Sequence, residues 1–195
     1  ANDTITGGAG ADTITGGAGA DTINLTVDST TDTVVIGASA STESAMDVVT
    51  NFATGTSGGD LLDIKGTTVF ANTGASDKTI SGISGVTGNA VADVASGIMT
   101  LASANATVDA LSEWIDLAEA VLASTDQTTD AADAVLSLAF EFGGDTYVVT
   151  GTDISDKTAG SVSETYATDS IIVLDGLTGV TGLSTTAAAN VIDIM

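Results

Sequence analysis

The sequence predicts a mainly β protein with one helical insertion at about residues 107–133, and three observations carry that prediction. A nine-residue pattern recurs in tandem near the start: Gly-Gly-Ala-Gly-Ala-Asp-Thr-Ile-Thr at 7–15 is followed by Gly-Gly-Ala-Gly-Ala-Asp-Thr-Ile-Asn at 16–24. Hydrophobic residues make up 43% of the 195, too many for a disordered acidic tail, yet aromatics are only 4%, so the core is aliphatic and suits stacked sheets. From about residue 107 to 122 the apolar period changes to three and four, which is the spacing of one helix face.

Charge narrows the chemistry. The chain carries 26 Asp and Glu against three Lys (Lys65, Lys78 and Lys157), for a formal net charge of −23, and it has no Arg, His, Cys or Pro. A nucleic-acid binder neutralises phosphates with basic residues, so no nucleic-acid partner is expected and anionic membrane surfaces are poor candidates. Without His or Cys there is no Ser-His or Cys-His nucleophile and no ordinary zinc site. What remains in quantity is oxygen, which binds hard cations, Ca²⁺ above all. The longest apolar stretches, such as 134–140, fall well short of the ~20 residues of a membrane helix. The start has neither an initiator Met nor a charged leader and enters the repeat in progress, so the chain reads as a piece of something longer.

Taken in order, Asn2-Asp3-Thr4-Ile5-Thr6 is the tail of an earlier copy of the nonapeptide. Thr-Ile-Thr is a short β-branched strand whose period of two turns Ile5, Ile14 and Ile23 inward and the threonines outward. Gly-Gly-Ala-Gly supplies a turn in which the backbone adopts positive φ and its carbonyls can converge on an ion, while Asp supplies charge. There is no phosphate-loop Gly-Lys-Ser/Thr element.

The pattern resembles the nonapeptide G-G-x-G-x-D-x-U-x of the RTX family, matched twice in full and once in part. The resemblance implies a Ca²⁺-binding parallel β-roll with two nonapeptides per coil, in which loops eighteen residues apart stack and hold ions between them. It places Asp3 and Asp21 on one edge with Gly16, Gly17, Ala18 and Gly19, and Asp12 on the other with Gly7, Gly8, Ala9 and Gly10. The partner loop of Asp12 should lie near 25–30, but Leu-Thr-Val-Asp-Ser-Thr has no glycine there. The next Asp-Thr-Val register, at 32–34, comes eleven residues after Asp21 instead of nine. A regular site is therefore not expected on that edge, and Asp28 or Asp32 would have to substitute.

After the repeats, 32–39 reads as a strand and 41–47 as an acidic turn. Asp47-Val48-Val49-Thr50-Asn51-Phe52 and Asp60-Leu61-Leu62-Asp63-Ile64 resemble the strands that close the roll in serralysin-type proteases, with Phe52 and Leu62 as capping core. Residues 65–104 read as irregular strands or loops. In the helix, Val108, Leu111, Ile115, Ala118 and Leu122 form the apolar face, with Asp109, Glu113, Asp116 and Glu119 directed away and Trp114 as a packing anchor. A second short helix is expected from Thr129, which would cap its first turn.

Residues 134–153 form an alternating strand, a Gly-Gly-Asp turn and a second strand, hence a hairpin. Phe140, Phe142, Gly144, Asp145, Thr146 and Tyr147 resemble a hairpin near the end of many type I secreted RTX proteins, and the strand at 169–180 continues that likeness. Asn190-Val191-Ile192-Asp193-Ile194-Met195 resembles their export signal. Three stretches result: 1–64, the end of the roll and its capping strands; 65–133, the insertion, a candidate contact region; and 134–195, a β module with the export signal.

The resemblance and the acidic Thr/Ala/Gly/Ser/Asp composition imply a non-enzymatic, Ca²⁺-dependent structural protein, secreted to the bacterial surface or beyond. It would be handled by type I secretion machinery and would self-assemble as a surface-layer or other cell-surface subunit. The alternative is the export and folding domain of a secreted enzyme, a serralysin-like protease or a lipase, or of an adhesin. Catalysis within this stretch would have to rest on a carboxylate pair.

Overall fold

Each Asp-Thr-Ile segment leads into a three-residue strand, and successive strands alternate between two sheets as the turns between them reverse the chain, glycine-rich after the first two segments and glycine-free after the third. The computed structural model describes residues 1–37, 41–55, 58–64, 67–70, 78–103, 107–124, 134–152, 170–185 and 191–195. The first six strands are β1 (Thr4–Thr6), β2 (Thr13–Thr15), β3 (Thr22–Asn24), β4 (Thr33–Val35), β5 (Asp47–Thr50) and β6 (Leu61–Asp63). Odd strands pair in parallel in one sheet, Thr4 opposite Thr22 and Thr22 opposite Val48; even strands pair in parallel in the other, Thr13 opposite Thr33 and Thr33 opposite Leu61. This is a parallel roll, as the repeat predicts.

Later strands complete both sheets. They are β7 (Thr67–Phe70), β8 (Lys78–Ser81), β9 (Asn89–Ala95), β10 (Ile98–Ser103), β11 (Ala134–Phe142), β12 (Asp145–Thr152), β13 (Ser170–Asp175), β14 (Leu183–Thr185) and β15 (Val191–Ile194). In the first sheet β13 lies parallel to β5, where a fourth coil would otherwise lie, and is followed by β12, β11, β10, β9 and β8, with β7 also paired to β11. In the second sheet β15 runs antiparallel to β6 and β14 closes the edge. Residues 78–103, expected to be irregular, thus include an ordered antiparallel meander. Their scattered Val and Ala sit at alternate positions of β9, where Ala90, Ala92 and Val94 are buried, a period-two signal that the small side chains concealed.

Two cores share the first sheet. Between the sheets lie Ile14, Ile23, Val34, Val49, Phe52 and Leu62 from the roll, with Ile172, Leu174, Ile192 and Ile194 from the later strands. On the opposite face Leu138, Phe140, Tyr147, Val149, Ile171 and Val173 pack beneath α1 (Leu111–Ser124). A strand covered on both faces needs apolar residues at every position, hence the unbroken Ile171-Ile172-Val173-Leu174 run.

The helix begins later than the predicted 107, because Glu113 in its first turn accepts hydrogen bonds from the N–H groups of Asp109 and Ala110 and so closes that end. Ile115, Ala118 and Leu122 are buried as predicted, together with Leu117 and Val121, and Trp114 stacks on Phe140 with ring centroids 5.4 Å apart. Asp116 and Glu119 depart from the prediction: both are half-buried instead of facing solvent, with the charge of Glu113 acting on Asp116 and those of Asp116 and Glu43 acting on Glu119. The short helix expected from Thr129 lies outside the described residues. Among those described, no helix is long and apolar enough to cross a membrane.

The hairpin forms as read, β11 against β12, with Gly143 and Gly144 at φ 68° and 105°, the backbone its two-residue turn requires. Its tip clasps the turn after β13. Asp145 accepts from Gly176 N–H, Glu141 from Gly179 and Val180 N–H, and Thr146 donates to the Leu177 carbonyl.

Candidate metal centre

The aspartates that open the roll strands form two ladders. On one edge Asp21 Oδ1 accepts from the N–H of Asp3 at 2.7 Å, and Asp47 Oδ1 from the N–H of Asp21 at 2.9 Å. On the other, Asp32 Oδ1 accepts from Asp12 N–H and Asp60 Oδ1 from Asp32 N–H, both at 2.9 Å. Each carboxylate satisfies the main chain of the coil before it through a charge-assisted bond, worth about 1.5–3 kcal/mol. Asp21, Asp32, Asp47 and Asp60 are at most 3% exposed.

Stacking like charges one strand spacing apart carries a cost. At ~5 Å, repulsion is about 1 kcal/mol per pair even in water and larger in a partly buried edge. The carboxyl groups register it. Burial pushes Asp47 up to about 6 against the pull of the Asp21 N–H, and the Asp21 charge adds to the rise. Burial likewise raises Asp32, with the charges of Asp60, Asp28 and Asp12 contributing. A bound divalent cation reverses that balance.

The turns supply the place for one. Asp12 Oδ2 and Asp21 Oδ2 are buried and have no hydrogen-bond partner. Both belong to nonapeptide turns and lie against the first glycine of their own repeat: a Cβ on Gly16 would sit 2.4 Å from Asp21 Oδ2, and one on Gly7 would sit 3.1 Å from Asp12 Oδ2. The glycine therefore makes room for the carboxylate. The second and third glycines, Gly8 and Gly10 in one turn and Gly17 and Gly19 in the next, all have φ between 96° and 128°, a backbone that side chains rarely adopt. Among the described residues no three acidic side chains converge, so an ion here must also draw on main-chain carbonyls. That donor set suits Ca²⁺, which takes six to eight oxygens in a flexible shell.

The predicted residues fall into the expected edges. Asp3 and Asp21 share one ladder beside the Gly16–Gly17–Ala18–Gly19 turn, and Asp12 with Gly7, Gly8, Ala9 and Gly10 occupies the other. The irregular loop that follows is accommodated by both aspartates named for it. Asp32 takes the ladder position under Asp12, twenty residues on, while Asp28 accepts from the N–H of Gly10 at 3.1 Å and from the N–H and hydroxyl of Thr30. The Thr30 hydroxyl leads in holding the Asp28 carboxyl below the usual range, followed by the N–H groups of Thr30 and Gly10. Thr26, where a second glycine would stand, holds φ 61°, with its N–H bonded to Asn24 Oδ1.

Sequence reasoning did not place Asp47 and Asp60 in the ladders. The signal was present, since Asp47-Val48-Val49 and Asp60-Leu61-Leu62 repeat the Asp-x-apolar register of Asp21-Thr22-Ile23. What concealed it was the coil length, which grows from 18 residues to 20, 26 and 28 down the roll. Both ladders then end in other chemistry. Asp60 Oδ2 accepts from Ala53 N–H, so both its oxygens are engaged by main chain. Beyond Asp47 the buried Ser41 hydroxyl takes over, accepting from Asp47 N–H at 2.6 Å and donating to the Ile171 carbonyl of β13.

Fold and site together define a parallel β-roll whose glycine–aspartate turns are built for an oxygen-bound cation. Residues 1–28 match the family model described as RTX calcium-binding nonapeptide repeat (4 copies), so this part of the chain carries RTX repeats, and such repeats bind Ca²⁺. Proteins with these repeats are typically secreted. No curated protein matches the chain.

Proposed function

We propose that the chain is the Ca²⁺-responsive part of a type I-exported structural protein of the bacterial surface, a surface-layer or similar assembly subunit, with no catalytic role. The observation that carries the calcium response is the pair of stacked aspartate ladders with unpartnered Oδ2 atoms on Asp12 and Asp21. Without the ion these carboxylates repel and the glycines are costly to order, so the roll stays open and suited to passage through a narrow channel. Extracellular modules bind Ca²⁺ at about 10⁻⁴–10⁻³ M, and at such levels binding becomes folding free energy.

The ions sit between Asp3 and Asp21 with the 16–19 turn, and beside Asp12 with the 7–10 turn. What supports a surface subunit is the composition, rich in Thr, Ala, Gly and Asp and lacking Cys, together with a net charge of −23 that Ca²⁺ can bridge between copies. Sedimentation during a Ca²⁺ titration from chelator to about 10 mM tests the reading. Growth from an expanded monomer into large ordered assemblies is expected. Compaction to a stable monomer would instead assign the chain to the export domain of an enzyme or adhesin, and no response would overturn the calcium reading.

A further inference from the structure

Residues 191–194 form β15, whose Ile192 and Ile194 are fully buried between the sheets. Three elements hold this strand. Val191, Ile192 and Asp193 pair with Asp63, Leu62 and Leu61 of β6; the N–H of Gly55, in the last turn of the roll, reaches the Ile194 carbonyl; and Leu183–Thr185 of β14 pairs along the other side, with Thr181 N–H bonding the Met195 carbonyl. Two of the three are roll elements. β6 is positioned through the second ladder, since Asp60 accepts from Asp32 N–H and Leu61 N–H bonds the Asp32 carbonyl. Without the roll β15 would keep only β14, three residues against three, which is tied to the β9–β10 turn by Leu183 N–H on the Ser96 carbonyl, and one apolar wall formed by Ile172 and Leu174 of β13; a two-stranded piece of that length open on its other sides is only marginally stable in water.

From this dependence we infer that Ca²⁺-driven ordering of the roll buries residues 191–195, so the segment is available to a binding partner only while the roll is ion-free. The device is a masked strand. Its seat is completed by Val34, Leu62 and Ile14 of the roll, which share its core, and it disappears when the ladders separate. Because residues 190–195 also resemble the export signal of type I secreted proteins, an aspect that rests on the type I export proposed above, calcium would end recognition by the exporter at the moment it folds the chain. A chain that met Ca²⁺ before export would hide the segment.

The absence of cysteine allows a direct test on the 195-residue chain. Single variants Ile194→Cys and, as a report on the roll, Ile23→Cys are labelled with a maleimide at Ca²⁺ levels from chelator to about 10 mM. The expected result is fast labelling of both in chelator and a slowing of about tenfold or more for both, with the same Ca²⁺ midpoint, as local opening is suppressed. Hydrogen exchange of the 191–194 amides in the unaltered chain repeats the measurement without a substitution. If Ile23→Cys is protected by calcium and position 194 labels freely at every concentration, or is already protected in chelator, the masking is wrong while the calcium reading stands. If neither position responds to calcium, both fail.

Discussion

A single aspartate per repeat does two jobs in the roll, and its two oxygens divide them. Oδ1 of Asp21 satisfies the main chain of the coil before it, while Oδ2 faces the turn with no protein partner. Asp21→Asn preserves the first role through its amide oxygen and removes the charge from the second. Calorimetric titration should therefore show Ca²⁺ affinity falling about tenfold or more, equivalent to about 1.4 kcal/mol. Asp60→Asn should behave oppositely. Both Asp60 oxygens accept main-chain N–H groups, and an amide can serve only one of them, so stability drops by about 1–3 kcal/mol in denaturant unfolding while Ca²⁺ affinity stays within about threefold.

At the scale of elements, the roll and the later strands are joined by a small number of specific bonds. Ser41 is the pivot: its hydroxyl ends the first ladder at Asp47 N–H and reaches the Ile171 carbonyl, while its own carbonyl accepts from Ile171 N–H. Ser41→Ala leaves the Asp47 N–H buried without that acceptor, and chemical denaturation should register a loss of about 1–3 kcal/mol. The helix carries a different signature. Burial, then the charges of Asp116 and Glu43, pushes Glu119 up to about 7 from an ordinary 4.5. The folded chain thus holds this proton more tightly than the unfolded one, so the Glu119 contribution favours folding increasingly as pH falls from about 7 toward 4.5. Glu119→Gln should raise the Tm at pH 8 and leave it nearly unchanged near pH 4, a difference that scanning calorimetry reads directly.

For the whole molecule the governing quantity is charge. At −23 over 195 residues, self-repulsion opposes compaction everywhere, and the ladders concentrate that repulsion along two edges. Monovalent salt screens it without supplying ligand geometry, and Mg²⁺ demands near-ideal octahedral coordination that carbonyl-rich turns do not provide. Equal concentrations of Mg²⁺ and Ca²⁺ in the millimolar range should therefore differ in outcome: hydrodynamic radius contracts with Ca²⁺ and remains close to its chelator value with Mg²⁺.

Much of this was legible in the residues. The tandem nonapeptide and its Asp-x-apolar register dictate the roll, because glycine adopts the positive φ of the turn most readily and β-branched residues alternate in and out of a short strand, and the same logic led to the hairpin at Gly143–Gly144. Other features arose only when distant segments met. Asp47 and Asp60 entered the ladders through strand pairing across coils of unequal length. The half-burial of Asp116 and Glu119 followed from what the helix rests on. The seating of residues 191–195 against β6 joins positions about 130 apart in the chain. Periodicity and turn chemistry are local and can be read along the chain, whereas which strand borders which, and so which carboxylate is desolvated, depends on the free energy of the assembled sheets.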